Sequence, residues 1–271
     1  MKALNELSVA EVAKAIKSGQ TTSEAVVSAC LERIEARENV VGAWQWLEPD
    51  MALEQARDCD RKEAKGLLHG VPIAVKDIIE TQDMPTCYGS GIYEENFTNW
   101  DAACVTLVRE AGAVIMGKSV TTEFAAFSPG KTANPRNLRH TPGGSSSGSA
   151  AAVADYMVPA GFATQTAASI IRPAAFCGVI GYKPSYGSFS LAGIKTFAES
   201  VDTLGTITRS IEDAKIMRAA LLAIPLESDD IPQINSLKIG LCQTHQWDEA
   251  DEYTHDAIEG VSETLAAAGA K

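Results

Sequence analysis

Apolar residues recur every three to four positions in several stretches of the chain, and this spacing predicts amphipathic helices. Two of these helices open the sequence, and each begins with a capping-box pair, Ser8 with Glu11 and Thr21 with Glu24. Asp101 is predicted to be the N-cap of a third helix, which a glycine ends. The helices predicted after the first two cover residues 101–112, 211–223 and 254–268.

Short apolar runs between the helices predict strands. Residues 71–75 are apolar throughout, which is typical of a strand buried on both faces, and this run ends at Lys76. Residues 113–116 and 237–241 are predicted to form two further strands. Because helices and strands alternate along the chain, the sequence indicates an α/β fold.

The middle of the chain is rich in Gly, Ser, Ala and Thr and is nearly free of charge. Between Gly143 and Ile171 the only charged residue is Asp155. Small residues let backbone segments approach closely, as a buried site made of main-chain groups requires. A flexible linker is the alternative, but the apolar segment at residues 158–162 argues against it.

Charge and composition exclude several kinds of function. The chain has 23 Lys and Arg against 35 Asp and Glu, and this net charge of −12 argues against nucleic acid as the main partner. No apolar run is long enough to span a membrane, and the N-terminus lacks the apolar core of a signal peptide. The six cysteines are widely separated and have no histidine at metal-binding spacing, so we expect free thiols, no metal site and a cytoplasmic protein.

Three short motifs match patterns of other enzyme classes, but the sequence around each motif argues against the structure that the pattern requires. Residues 112–119 fit the phosphate-loop pattern, but its variable positions coincide with a predicted strand, which argues against nucleotide binding. Residues 144–148 fit the nucleophile elbow of α/β-hydrolases, although no predicted strand precedes them. The hydrolases with this elbow use a Ser-His-Asp triad, and His245 with an earlier Asp could complete it, so this alternative stays open. Residues 128–131 fit Ser-x-x-Lys, but Pro-Gly within the motif prevents a helix.

Six segments together match the pattern of one family. They are residues 68–77, 117–125, 142–150, 163–170, 172–178 and 181–184. These segments resemble the amidase signature family, which comprises serine hydrolases of carboxamides, and the resemblance extends over nearly the whole chain. It implies a mixed β-sheet core covered by helices on both faces, in a single domain over residues 1–271. Members of the family are longer and this chain ends at a helix stop, so we expect a domain truncated at its C-terminus that lacks C-terminal strands.

The resemblance also implies a Ser-Ser-Lys triad. Ser169 would be the nucleophile, Ser145 the bridging serine and Lys76 the base, and the separation of 24 positions from Ser145 to Ser169 matches the family pattern. A lysine acts as a base only when it is neutral near pH 7, and burial lowers its pKa. The place of Lys76 directly after an apolar strand favours such burial. The oxyanion would be held by four backbone N–H groups, those of Thr166, Ala167, Ala168 and Ser169.

This chain departs from the family pattern around the nucleophile. Family members usually have two glycines directly before it, where this chain has Ala167 and Ala168. They usually have Asp at the position of Gln165 and Arg at the position of Ile171, whereas the arginine here is Arg172. A Cβ in place of the glycines would strain a backbone with positive φ or crowd the oxyanion.

Three functions remain open. The first is a small-molecule amidase, and the second is the glutamine-hydrolysing subunit of an amidotransferase, which typically keeps the arginine that Ile171 replaces. The third is an inactive or incomplete amidase-like domain. We expect a small-molecule amide as the substrate, no nucleic acid or membrane as a partner, and no cofactor, because nucleophile, base and oxyanion site are all protein groups. The sequence does not specify an oligomeric state.

Overall fold

A mixed six-stranded sheet forms the centre of the first 226 residues. The computed structural model describes residues 2–226 and 232–271. The strands are β1 (Trp44–Leu47), β2 (Pro72–Lys76), β3 (Val114–Ser119), β4 (Ala160–Gln165), β5 (Ile180–Tyr182) and β6 (Thr203–Thr208). Their order across the sheet is β1-β3-β2-β4-β6-β5, with β2 parallel to both of its neighbours and the other pairs antiparallel.

Eight α-helices occur in the described residues. They are α1 (Val9–Lys17), α2 (Ser23–Val41), α3 (Pro49–Asp60), α4 (Ala103–Glu110), α5 (Ser147–Ala154), α6 (Ile171–Cys177), α7 (Ile211–Leu222) and α8 (Glu252–Ala267). Against the sheet, α3 packs on β3, α5 on β4 and α7 on β6. The predicted α/β fold with a mixed sheet is confirmed. None of the described helices is long and apolar enough to cross a membrane.

The chain divides into two compact units, Met1–Leu226 and Glu227–Lys271. The first unit contains the sheet and helices α1 to α7, and the second contains α8. The core of the first unit is built from the strand residues and from the inner faces of the helices, including Val12, Ile73 and Phe162. The single domain over residues 1–271 and its C-terminal truncation stay predictions.

The N-terminal helices begin close to the predicted caps. Ser8 is the N-cap of α1 and forms the predicted capping box with Glu11. The second box is displaced by one residue: Thr22 is the N-cap of α2, and its side chain accepts a hydrogen bond from Ala25 N–H. The carboxylate of Glu24 instead forms an exposed ion pair with a side chain of α3. The pairing of Thr21 with Glu24 was therefore wrong.

Asp101 does not cap α4. The N-cap is Ala102, which makes no side-chain capping bond. The carboxylate of Asp101 accepts a hydrogen bond from the backbone N–H of Gln82 and lies 3.0 Å from Nε of Arg109. The Asp101 side chain contacts Gln82 and Arg109, so it does not cap the helix as the local sequence pattern predicts.

The strand predicted over residues 237–241 is wrong. These residues belong to the second unit, and among the described residues their backbone hydrogen-bonds only with Lys271 and, in a local turn, with Ile234. Ile239 N–H donates to the Lys271 carbonyl oxygen at 2.7 Å, and Lys271 N–H donates to that of Leu237 at 3.0 Å. An apolar run forms a strand only where another strand supplies a continuous ladder of partners, and the described residues supply none here.

The sheet brings the ends of two strands to one edge. Because β2 and β4 are parallel neighbours, their carboxyl ends lie on the same side of the sheet, the usual place for ligand sites in α/β folds. Lys76 is the last residue of β2, and Gln165 is the last residue of β4. All residues of both strands are buried, so polar side chains at these ends are withdrawn from water.

We expect Gly148→Ala to destabilise the protein. Gly148 lies in the first turn of α5, and an added Cβ would come within 2.3 Å of the carbonyl oxygen of Ala43 and the backbone nitrogen of Val120. Such overpacking lowers the free energy of unfolding by about 1–3 kcal/mol, which urea denaturation measures. Gly161→Ala is the matched control, because its Cβ would lie 3.4 Å from the nearest atom. Equal losses in the two variants would contradict this prediction.

Candidate active site

Lys76 ends β2 with its side chain fully buried. Its Nζ atom lies 2.7 Å from Ser145 Oγ and 2.8 Å from Thr164 Oγ1. Burial lowers the pKa of Lys76 to about 7, while the negative charge of Asp202 acts in the opposite direction. Near neutral pH a large share of this lysine is therefore the free amine, which is the form that accepts a proton.

Ser145 lies in the loop before α5 and is only 2% exposed. The peptide bond between Gly144 and Ser145 is cis. Thr122 N–H donates to the carbonyl oxygen of Ser145, and Arg172 donates through Nε and Nη2 to that of Gly144. These bonds hold the loop in the position where the Ser145 hydroxyl meets the amine of Lys76.

Ser169 lies in the turn between β4 and α6 and is partly exposed. Its carbonyl oxygen accepts a hydrogen bond from Ser146 N–H at 3.3 Å, so this turn lies against the loop that carries Ser145. Within the part of the chain that the structure describes, the Ser169 hydroxyl has no hydrogen-bond partner. Ser169 thus carries an accessible hydroxyl in a turn that adjoins the loop of Ser145.

Residues 166–169 form a segment that we call the donor loop. Among the described residues, its four backbone N–H groups donate no hydrogen bond. The side chain of Gln165 holds the loop in place: Oε1 accepts from the N–H groups of Ile170 (2.9 Å) and Ile171 (3.1 Å), and Nε2 donates to the Ala167 carbonyl oxygen (2.8 Å). The donor loop therefore has unpaired donors that can bind an anionic oxygen.

The alanines of the donor loop fit its backbone. Neither Ala167 nor Ala168 has a positive φ; the described non-glycine residues that do are Tyr88, Asn99, Phe124, Ala125, Tyr156 and Ala223. The strain expected for an alanine arises only where φ is positive. The backbone of this loop is thus compatible with a Cβ at both positions.

Two further residues contact the site and are not indicated by the sequence analysis. Thr164 accepts a hydrogen bond from Lys76. A polar side chain near the end of an apolar strand is a sequence signal that could have identified Thr164 as a site residue. Asp202 accepts a hydrogen bond from the Thr166 hydroxyl at 2.5 Å and two from backbone N–H groups. No local signal marks Asp202, because its place depends on the pairing of β6 with β4.

A second buried lysine, Lys118, lies on β3 next to β2. Its Nζ donates to the Ile79 carbonyl oxygen and to Thr86 Oγ1, both at 2.7 Å, and lies 3.8 Å from Asp77 Oδ1. Burial lowers the pKa of Lys118 to about 8 and raises the pKa of Asp77 to about 6, and their mutual attraction opposes both shifts. Lys118 belongs to the phosphate-loop pattern, but residues 114–119 form a buried strand and offer no phosphate-binding loop.

The other two motifs also lack the geometry that their chemistry needs. Ser146, the central serine of the elbow pattern, is fully buried, and its hydroxyl bonds with the backbone of Thr164. A nucleophile elbow needs an exposed hydroxyl, so a triad with His245 gains no support. Residues 128–131 are not helical, so Ser128 and Lys131 share no helix face.

All six cysteines are free thiols, and five of them are buried or partly buried. Within residues 2–226 and 232–271, no group of three or more His, Cys, Asp or Glu side chains is placed to hold a metal ion. The expectation of a protein without metal or cofactor stays a prediction.

The sequence is similar to known proteins over most of its length. The model of the family described as Amidase matches residues 25–271. A glutamyl-tRNA(Gln) amidotransferase subunit of Thermobifida fusca is 42% identical over 230 positions, which cover 81% of this chain and 46% of that protein. The corresponding protein of Koribacter versatilis is 35% identical over 291 positions, which cover 99% of this chain and 61% of that protein.

Solved structures of amidases have the same fold. The peptide amidase of Stenotrophomonas maltophilia superposes with a TM-score of 0.87 at 32% identity, over 98% of this chain and 61% of that one. A fatty acid amide hydrolase superposes with a TM-score of 0.89 at 27% identity, over 99% of this chain and 52% of that one. The chain thus spans about half to three-fifths of the length of these proteins. Since the family match covers most of its residues, the chain belongs to the amidase family.

Proposed function

We propose that this protein hydrolyses the C–N bond of a carboxylic amide through a Ser-Ser-Lys triad. One observation carries the proposal: the buried amine of Lys76 lies 2.7 Å from the hydroxyl of Ser145, against the turn that holds the free hydroxyl of Ser169. A lysine with a pKa of about 7 is suited to act as a base at neutral pH. Membership of the amidase family supports the same reaction.

In the first half of the proposed reaction, Ser169 Oγ attacks the carbonyl carbon of the amide. Its proton passes to Ser145 Oγ while the proton of Ser145 passes to the neutral Nζ of Lys76. The carbonyl oxygen becomes an oxyanion, which accepts hydrogen bonds from the backbone N–H groups of the donor loop. One such donor typically lowers the barrier by about 3–4 kcal/mol.

In the second half, the proton returns from Lys76 through Ser145 to the nitrogen of the substrate. The C–N bond breaks and the amine leaves, because protonation makes the nitrogen a better leaving group. The acyl group stays on Ser169 Oγ as an ester. Water then attacks this ester by the same proton route, which releases the carboxylic acid and restores the serine.

The curated relatives favour a second candidate, the glutamine-hydrolysing subunit of an amidotransferase. Two of them are named as subunits of a glutamyl-tRNA(Gln) amidotransferase. Such a protein would work with partner subunits that supply the acceptor of the ammonia. Ile171 stands where such subunits typically have an arginine, which weighs against this candidate. Glutamine hydrolysis that requires added partner subunits would favour it over the free amidase.

Labelling with a fluorophosphonate tests the proposed function. We expect one adduct, on Ser169, because the reagent reacts with a serine hydroxyl that an adjacent base activates. Peptide mass spectrometry locates the adduct, and the exposed Ser128 serves as the internal control that stays unlabelled. If Ser169 in the full-length protein carried no adduct, the hydrolase proposal would fail and the inactive-domain alternative would replace it.

We also propose a cytoplasmic location and a small-molecule amide as the substrate, with no nucleic-acid partner. The six free thiols support the location, because the cytoplasm keeps thiols reduced. The net charge of −12 supports the absence of nucleic acid, because a polyanion binds to basic surfaces.

A further inference from the structure

One side chain gives a positive charge to the cavity beside the proposed triad. This cavity has a volume of about 10 Å³ and is lined by Thr164, whose hydroxyl binds Lys76, by Thr166 and by Lys195. Lys195 also lines a neighbouring cavity of about 500 Å³, next to Tyr88. Among the described residues that line either cavity, Lys195 is the only lysine or arginine.

The backbone of Lys195 is held against the residues that follow Lys76. Lys195 N–H donates to the carbonyl oxygen of Ile78 at 2.9 Å, and Glu80 N–H donates to that of Gly193, also at 2.9 Å. Ile78 is two residues beyond Lys76 in the chain. The backbone of Lys195 therefore has a defined position relative to the proposed base.

The ammonium group of Lys195 has aromatic neighbours and, among the described residues, no ion-pair partner. Its Nζ lies 5.3 Å from the ring centroid of Tyr88 and 5.6 Å from that of Phe124, within the range of cation–π contacts. In the part of the chain that the structure describes, this Nζ has no ion pair and no hydrogen bond. The two rings orient the ammonium group without neutralising its charge.

The carboxylates of the two cavities are already hydrogen-bonded elsewhere. Glu80 accepts from the hydroxyl of Tyr88 and from the indole N–H of Trp100. Asp202 accepts from the hydroxyl of Thr166 and from two backbone N–H groups. Neither carboxylate forms an ion pair with Lys195 in the described part of the chain, so its ammonium is available to an anion on a bound molecule.

We propose that Lys195 binds a carboxylate of the substrate, so that the preferred substrates are amides that carry a carboxylate group. The inference rests on the proposed amide hydrolysis and adds the substrate class. A charged donor and a charged acceptor form a shorter and stronger hydrogen bond than a neutral pair. An amide with a carboxylate therefore gains a contact that a neutral amide of the same shape lacks.

Two pairs of isosteric amides test this proposal with the full-length protein. The pairs are the monoamide of succinic acid with 4-methylpentanamide, and N-acetylglycine with N-isobutylacetamide; an isopropyl group replaces the carboxylate in each neutral member. We expect kcat/KM to be about 10- to 100-fold higher for the anionic member of at least one pair. Lys195→Met should bring this ratio to about one, and Lys195→Glu should bring it below one.

Lys17→Met is the control, because it also removes the charge of an exposed lysine, on α1. It should keep the ratio of the wild-type protein, and thermal melting should show that all variants are folded. A wild-type ratio near one, or a ratio that Lys195→Met leaves unchanged, overturns this inference while amide hydrolysis stands. A protein that is labelled at Ser169 but hydrolyses none of the four amides also overturns it. Loss of both labelling and hydrolysis rejects the proposed function itself.

Discussion

Ser169→Ala is expected to lower kcat/KM for every amide substrate by about 10⁴- to 10⁶-fold, the range found when a serine hydrolase loses a triad residue. The variant should also lose the fluorophosphonate adduct. The physical reason is that no acyl-enzyme forms without the hydroxyl oxygen, while the donor loop persists. Steady-state kinetics and mass spectrometry of the labelled protein measure the two effects.

Ser128→Ala is the matched control for this variant. Ser128 is exposed and lies outside the proposed triad, so its removal should leave both kinetics and labelling at wild-type values. If Ser169→Ala kept more than about one per cent of the activity, the loss would be far smaller than removal of a nucleophile causes. Another residue would then have to be the nucleophile.

Lys76→Met should cause a loss of similar size, because it removes the base and keeps the length of the buried side chain. The pH dependence of the wild-type rate tests whether the loss arises because Lys76 is the base. Only the neutral amine accepts a proton, and the pKa of Lys76 is about 7. We therefore expect kcat/KM to rise with pH, with a midpoint near pH 7 and a slope of about tenfold per pH unit on the acid side.

The depressed pKa of Lys76 also links stability to pH. Between about pH 7 and its ordinary pKa of 10.5, this lysine is protonated in the unfolded chain and neutral in the folded one. The unfolded state then binds more protons, so stability should rise with pH in this window. In urea titrations Lys76→Met should lose the part of this rise that Lys76 causes, most clearly between about pH 7 and 8, while remaining folded; Lys118, whose pKa is lowered to about 8, keeps its own part at higher pH. A wild-type rate that is flat across neutral pH, or an active Lys76→Met variant, would rule out Lys76 as the base.

Local signals predicted the elements that they define. The capping box at Ser8 and the apolar run before Lys76 correspond to α1 and β2. Strand β6 was not predicted, because its residues, Thr203–Thr208, mix threonine and glycine with apolar side chains. It pairs with β4 along six residues, and this long-range ladder has no counterpart in a local pattern. Residues 237–241 show the converse, an apolar run without a strand to pair with.

The residues of the candidate site also fall into two groups, those that the sequence indicates and those that only the tertiary structure reveals. Lys76, Ser145 and Ser169 each lie in a short segment that resembles a family pattern, so they could be named before their positions were known. Asp202 and Lys195 lie in segments whose role depends on which strand they pair with or bond to. The hydrogen bond of Asp202 with Thr166 and the place of Lys195 in the cavity follow from tertiary structure alone.

The side-chain amide of Gln165 carries no ionisable proton, and neither do the side chains of the donor loop at neutral or acid pH. A carboxyl group at this position would gain a proton in acid and lose part of its capacity to accept from two N–H groups. The amide keeps all three of its hydrogen bonds at any pH at which the protein is folded. The charge of the proposed oxyanion site thus stays constant, and a rate that falls in acid has its origin outside it, in the buried Lys76.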